Sequence, residues 1–489
     1  MSRFPQRFVN RERELSVLLK ALKKAKEGEG TTILITGELG AGKTRLAEEF
    51  GEICRKAGFT VLSSLCIGPQ QPAYHPVLTA LQNYAKNLGQ RGEKYVPLGL
   101  VGFQSFEIEE RGLESVIRER TRAMEYLLRQ FIAIAREEPL VFIIDDLHLA
   151  DSATLAFLTY LARNIKNERI ITIATFVEEY AHTKTFFAET LRNMNIERLY
   201  TLIKLGNLTE KEILEIVLEE DFTCVEEIAR YIYERTSGNP LFIVEFLATI
   251  RSSGLKNVDE IKKLALPTTV RDIIHLRVSK LEETTKKVLS ICAVLGRVFD
   301  YAVLAELSDL KEEELLDAID SLISQNFLVE AEEYEEGYKF VNNAIHEVVY
   351  NSILRVRRKL LHQRAAEIIE QHHGKEEKFW GALAKHYKEA NNRQKFLEYA
   401  IKAGRSAAKK YANAEAMEFF KEALEAMEGV TEENDLKLEV LWEYEEVLEL
   451  DGRYPEVLEV LEKIINLTIS ERPVEAARAY RRCCAVRFL

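Results

Sequence analysis

Gly37-Glu38-Leu39-Gly40-Ala41-Gly42-Lys43-Thr44 is the stretch on which the fold turns. The apolar run Thr32-Ile33-Leu34-Ile35 precedes it, and Arg45-Leu46-Ala47-Glu48-Glu49-Phe50 follows with apolar positions at helical spacing. A buried strand, a glycine-rich loop and a helix in this order form a phosphate cradle. Gly37, Gly40 and Gly42 let the backbone curl, so that N–H groups along the loop through Ala41 to Arg45 face the β- and γ-phosphates of a nucleotide. Lys43 brings a positive charge to the same oxygens, and Thr44 offers its hydroxyl to Mg²⁺. The following helix points its positive N-terminus at the anion. The plain alternative is a strand-to-helix turn without a ligand, and the correct flanks on both sides argue against it.

A nucleotide site of this kind needs a second part, a buried strand ending in acid. Leu140-Val141-Phe142-Ile143-Ile144 runs into Asp145-Asp146. Five apolar residues in a row suit a central parallel strand, covered on both faces. Asp145 is placed in the Mg²⁺ shell, and Asp146 is placed to poise or deprotonate the attacking water. Lys43, Asp145 and Asp146 are thus the catalytic candidates, with Thr44 and Asp145 as metal ligands. Asp151 has the simpler task of capping the next helix.

The chain has 489 residues, room for three or four domains, and a formal net charge of −12. That balance repels a phosphate backbone, so nucleic acid is not the expected partner. The six cysteines, at 54, 66, 224, 292, 483 and 484, show no metal-ligand spacing and favour a reduced, cytoplasmic compartment. No run approaches the ~18 apolar residues of a membrane span.

Up to residue 206 strands alternate with helices, which predicts a parallel three-layer α/β sheet. The expected strands are Thr32–Thr36, Thr60–Leu65, Leu140–Ile144, Ile170–Phe176 and Leu199–Leu205, with helices such as Glu12–Lys26 and Ser115–Arg136 between them. Cys66 to Gly112, rich in Gly, Pro and Gln, is expected to hold loops and short helices. Residues 207–266 are read as a helical lid, broken at Ser237-Gly238-Asn239-Pro240. Residues 267–353 have the outline of a winged helix: helices, then Phe327-Leu328-Val329-Glu330 and Tyr338-Lys339-Phe340-Val341 around a Glu-rich turn. Residues 354–489 are all helical. There Ala416, Phe419, Phe420 and Leu424 recur as Val457, Val460, Leu461 and Ile465, which points to tetratricopeptide-like hairpins, with extra length near Gly429–Asp435. The sequence stops inside a helical pattern at Arg487-Phe488-Leu489, and the sensor is expected to continue.

Three motifs together resemble a family: Phe8-Val9-Asn10-Arg11-Glu12-Arg13-Glu14-Leu15, Asp145-Asp146-Leu147-His148-Leu149-Ala150-Asp151, and Ser237-Gly238-Asn239-Pro240-Leu241-Phe242. The combination is similar to the STAND-class signalling ATPases, AAA-type P-loop NTPases of the MalT-like kind, over residues 4–425. The resemblance implies an ATP/ADP switch with Mg²⁺. Val9, Asn10 and Arg11 would contact the base, and Pro240 of the lid would pack against it. It also implies a monomer held closed by ADP, and a homo-oligomer once an unknown inducer, small molecule or protein, binds the repeats and ATP replaces ADP. Three departures stand out. Asn10 occupies a position usually held by Gly. Thr175-Phe176-Val177 lacks the Arg that many members carry after the fourth strand, so slow turnover is expected. Asn342 stands where a winged-helix His often reaches the ADP phosphates, with His346 one helical turn on.

Two other function classes compete. One is an AAA-type ATPase acting on DNA through its winged helix. The other is a repeat scaffold with a structural nucleotide. The basic stretch Arg355, Arg357, Arg358, Lys359 and Arg364 is read as a solvated helix face rather than a nucleic-acid patch. His362, His372, His373 and His386 are read as scattered surface histidines rather than a metal site. His148 either orients the Asp pair or packs locally.

Overall fold

The computed structural model describes residues 11–68, 71–95, 113–183, 185–218, 220, 222, 224–253, 260–261, 270–331, 336–428 and 434–487. These fall into two compact units. One comprises Met1–Cys66, Phe131–His148 and Leu161–Arg357, the other Ile67–Gln130, Leu149–Tyr160 and Arg358–Leu489.

In the first unit, β1 (Thr31–Gly37), β2 (Thr60–Leu65), β3 (Leu140–Asp145), β4 (Ile170–Val177) and β5 (Thr201–Leu205) form one parallel sheet in the order β2-β3-β4-β1-β5. Each expected strand is present, with ends shifted by no more than two residues. β4 is buried along its whole length, as a strand covered on both faces must be. The helices Glu12–Lys26 and Lys43–Lys56 bring Leu18, Leu46 and Phe50 against Ile33, Ile35, Val141, Ile173 and Ile203. Each such large side chain contributes about 1.5–3 kcal/mol by leaving water. Parallel register fixes the site: Gly37 pairs with Val177 and Leu205, and Leu65 with Asp145. The ends of β1, β3 and β4 therefore share one sheet edge.

Beyond β5 the helices Glu210–Val217, Val225–Thr236 and Pro240–Ser253 close around Ile213, Ile228, Ile232, Phe246 and Ile250. Gly238 makes this turn possible. Its φ is +76, and a Cβ there would sit 1.9 Å from the Leu208 carbonyl oxygen. Leu208 N–H donates to the Gly238 carbonyl at 2.7 Å.

Next come the helices Glu283–Leu295, Tyr301–Ser308, Glu312–Ser324 and Asn343–Ser352 with a small antiparallel sheet. That sheet has three strands, β6 (Val298–Asp300), β7 (Leu328–Glu330) and β8 (Gly337–Phe340), in the order β6-β8-β7. The sequence predicts only the last two. At three residues, β6 is too short to show a period.

In the second unit, successive helices from Glu377–Glu389 to Pro473–Val486 pack as neighbours in chain order. The recurring positions Ala416, Phe420, Val457, Val460, Leu461 and Ile465 are buried. Gly404 lets the Phe420 ring lie against bare backbone, since a Cβ there would meet ring carbons at 2.7 Å. The segment 429–433, within the expected extra length, lies outside the described residues.

Two expectations are corrected. The stretch after Cys66, expected to hold loops and short helices, contains a helix of 14 residues, His75–Leu88. Pro76 sits in its first turn, where the missing N–H costs nothing, so proline is a helix start here and not a breaker. Nor are the histidines all at the surface. His362 and His386 are buried at 1% and 4% exposure, with their Nδ1 atoms 2.9 Å apart. Burial pushes the His362 imidazole down to about 4. Arg355, Arg357, Lys359 and Arg364 are exposed. Asp151 caps the helix Ser152–Asn164, accepting from Thr154 N–H at 2.8 Å. Among the described residues no helix is long and apolar enough to cross a membrane, and no group of three or more His, Cys, Asp or Glu is placed to hold a metal.

Candidate nucleotide site

Backbone conformation comes first. Gly40 and Gly42 have φ values of +82 and +89, the left-handed region that glycine enters freely, and the chain then starts the helix Lys43–Lys56. Lys43 folds back over the loop and donates from Nζ to the carbonyls of Gly37 at 3.1 Å and Glu38 at 2.8 Å. Burial pushes its ammonium pKa down, while Asp146 and Asp145 pull it back up.

The acids meet this loop across the sheet edge. Thr44 Oγ1 donates to Asp145 at 2.9 Å. Thr175, from β4, donates to the other carboxylate oxygen of Asp145. Burial pushes the Asp145 carboxyl up, the charge of Asp146 adds to this, and the bonds from Thr175 and Thr44 with the Arg297 charge work against it. Asp146 is unusual in its backbone, with φ +53. Its N–H donates to Thr175 Oγ1 at 3.0 Å. One threonine thus fixes both acids, at the place where the resemblance leads one to look for an arginine.

A cavity of about 430 Å³ opens over the phosphate loop, within the range typical of small-molecule sites. Its walls come from several stretches of chain, among them Val177 at the end of β4. Arg11 enters from the N-terminal side, anchored by Nη2 on the carbonyls of Gly206 at 2.8 Å and Ala41 at 3.2 Å. The loop supplies Gly40 to Arg45, β3 leads to Asp146 and His148, the lid supplies Pro240 and Leu241, and the small module supplies Arg297 and Asn342. Arg45 is exposed and pairs with Glu49 at 3.6 Å. His148 stacks on Tyr180 with ring centres 4.4 Å apart. Burial pushes its imidazole down to about 4, so it is neutral near pH 7, and its buried Nδ1 has no hydrogen-bond partner among the described residues.

The expected residues do not all converge. Val9 and Asn10 lie outside the described residues. Asn342 lines the cavity, but its Oδ1 is spent on capping the helix Asn343–Ser352, accepting from Ile345 N–H at 2.9 Å. His346 is turned away. Its Nε2 lies 3.0 Å from the Ala293 carbonyl, and it is not among the residues lining the cavity. One turn further along its helix, it lies in the packing of its own module.

Three residues join to which sequence alone assigns no role at the site. Asn239 donates from Nδ2 to the Leu39 carbonyl at 3.0 Å, and Leu241 N–H donates to the Gly40 carbonyl at 3.2 Å, so the lid is bonded to the phosphate loop itself. Thr175 is the second. Arg297, whose guanidinium forms an ion pair with Asp146, is the third. No local pattern marks Arg297; it is a single arginine after the glycine that ends the helix Glu283–Leu295.

Residues 7–173 match the family described as AAA ATPase domain. An uncharacterized protein of Rhizobium meliloti (strain 1021) is 26% identical over 445 residues, covering 85% of this chain and 42% of that protein. The chain therefore spans less than half the length of that relative. The crystal structure of a Signal Transduction ATPase with Numerous Domains (STAND) protein with a tetratricopeptide repeat sensor, from Pyrococcus horikoshii, superposes with a TM-score of 0.53 at 16% identity, covering 99% of this chain and 71% of that one. At that identity the likeness concerns the fold.

Proposed function

Because the chain is a P-loop NTPase with an AAA ATPase domain and helical repeats, we propose that it works as an ATP/ADP-dependent signalling switch of the STAND kind. One observation carries this reading. A single cavity is walled by the phosphate loop, the lid and the small module with its three-stranded sheet, so one nucleotide there touches three parts of the chain. In the proposal, residues 1–206 bind nucleotide, 207–266 form the lid, 267–353 form a winged helix and 354–489 form the sensor. ADP holds the first three together in a monomer. An inducer at the helical repeats, followed by exchange for ATP, opens them and allows oligomers to form.

The donor set fits Mg²⁺, a hard cation that takes oxygen ligands. Thr44 hydroxyl and Asp145 carboxylate already lie 2.9 Å apart, both at the phosphate loop. When bound there, the ion would neutralise charge on the phosphates. Lys43 would contact the β- and γ-phosphates, Asp146 would orient the water and accept its proton, and Pro240 with Arg11 would border the base. Without an arginine after β4, slow turnover is expected.

Replacing Lys43 by Ala removes a charge-assisted contact of about 1.5–3 kcal/mol, a loss in ADP affinity of roughly ten- to a hundredfold by calorimetry. Equal affinity in variant and parent would end the site assignment. A gel shift with duplex DNA tests the DNA-acting alternative, and the −12 net charge favours no shift.

A further inference from the structure

Asp146 and Arg297 are each tied to their own part of the chain by a hydrogen bond of their backbone. Arg297 follows Gly296 at φ +126, and its carbonyl accepts Phe340 N–H at 3.0 Å, which ties it to the start of the small sheet. Asp146 is tied on its own side through its N–H to Thr175. Their ion pair therefore joins a fixed point of the core to a fixed point of the small module. Both side chains are 13% exposed, so water screens the pair little, and among the described residues the buried Arg297 Nε has no hydrogen-bond partner.

We propose that Arg297 is a latch on hydrolysis. With Asp146 Oδ2 occupied by the Arg297 Nη1–H, that oxygen is closed to a water molecule and cannot take its proton. The inference rests on the reading that nucleotide fills this cavity and that Asp146 serves the water. In the hydrolytic step, the water oxygen bonds to the γ-phosphorus, the bond from phosphorus to the ADP oxygen breaks, and the water proton passes to the Asp146 carboxylate. The step needs that carboxylate released from Arg297. Movement of the small module by a few ångströms breaks the pair. The phosphate oxygens in the same cavity then offer Arg297 another anion, so its charge is not stranded. Turnover thereby depends on where the small module sits, with no contact between that module and the water.

The test is steady-state phosphate release and ADP off-rate for the full chain, comparing the parent with Arg297→Ala and Arg297→Lys. The latch predicts that Arg297→Ala raises kcat about tenfold, a part of the ~10²–10⁴-fold that a positioned base contributes, with KM little changed and ADP leaving faster. Lysine, still cationic, should lie between. A fall in kcat overturns the latch and makes Arg297 a cation that serves the transition state; an unchanged kcat overturns it as well. Should Arg297→Ala melt early by circular dichroism, Arg297→Lys decides alone: a rise supports the latch and a fall overturns it. A parent that binds and hydrolyses MgATP while neither variant rises sinks the latch alone. A parent that neither binds nor hydrolyses sinks the switch reading and the latch with it.

Discussion

Around the phosphate loop several polar groups find partners far along the chain, while between successive helices of the array many find them next door. Arg11 reaches a carbonyl 195 residues away, Asn239 one 200 away, and Arg297 a carboxylate 151 away. In the array Lys395 pairs with Glu370, 25 residues off, Arg405 with Glu443, 38 off, and Arg482 with Glu445, 37 off. Those short separations are one helical hairpin or less. An array built this way stores its stability in repeated neighbour terms and yields in pieces. The cavity has one copy of each bond and no neighbour to share a loss. Chemistry belongs in the second kind of structure, and a surface that must adapt to a ligand belongs in the first.

The sharpest way to break this contrast is at the acid pair. Asp146→Asn should lower hydrolysis by about 10²–10⁴-fold, the contribution of a positioned base, while Mg²⁺–nucleotide binding and the melting of the array stay put. Normal turnover in that variant makes Asp146 structural. A second test lies within the array. The His362 imidazole is held at about 4 by burial, and that of His386 lies well below its usual value. Since the folded pKa is lower than the unfolded one, the unfolded chain takes up the proton first. The contribution is whole above pH 6.5 and is lost as pH falls to 4, up to about 3 kcal/mol for His362. Glu415, pushed up to about 7 by burial and by Asp151, runs the opposite way and offsets part of this, being stabilising below 4.5 and lost by 7. Chemical unfolding across this range should show a shallower acid loss in His386→Gln than in the parent; parallel curves would mean that the pair titrates as free histidines do. The smallest effect expected is at the lid. Asn239→Ala removes the bond to Leu39 and the one from Phe242 N–H at 3.2 Å, which should speed ADP release roughly five- to thirtyfold for about 1–2 kcal/mol. An unmoved off-rate would detach the lid from nucleotide retention.

The same contrast separates what was legible in the sequence from what was not. The strand before Gly37, the strand ending at Asp145 and the lid turn at Gly238 are written in consecutive residues, and so is the helical spacing of Ala416 and Phe420. Arg297, Asn239 and Thr175 act through partners distant in sequence, and no window of neighbours shows those partners. His346 is misplaced for a related reason: spacing gives its distance along the helix from Asn342 but not the neighbour it meets there, the Ala293 carbonyl. The burial of His362 and His386 was hidden because each imidazole satisfies the other, so neither needed a recognisable ligand set.

Gly404 deserves a last use as a tool. Helix separation at that point is set by the thickness of an aromatic ring lying on naked main chain. A methyl group added there works as a wedge, prying the helices Arg393–Lys409 and Asn413–Ala426 apart by a fraction of an ångström. In a stack where each layer rests on the one before, a small tilt is carried undiminished through every later layer to the last helix, Pro473–Val486. Gly404→Ala would thus change the curvature of the array from within, leaving every surface side chain as it was. Such a variant separates recognition that depends on the shape of a groove from recognition that depends on the residues lining it.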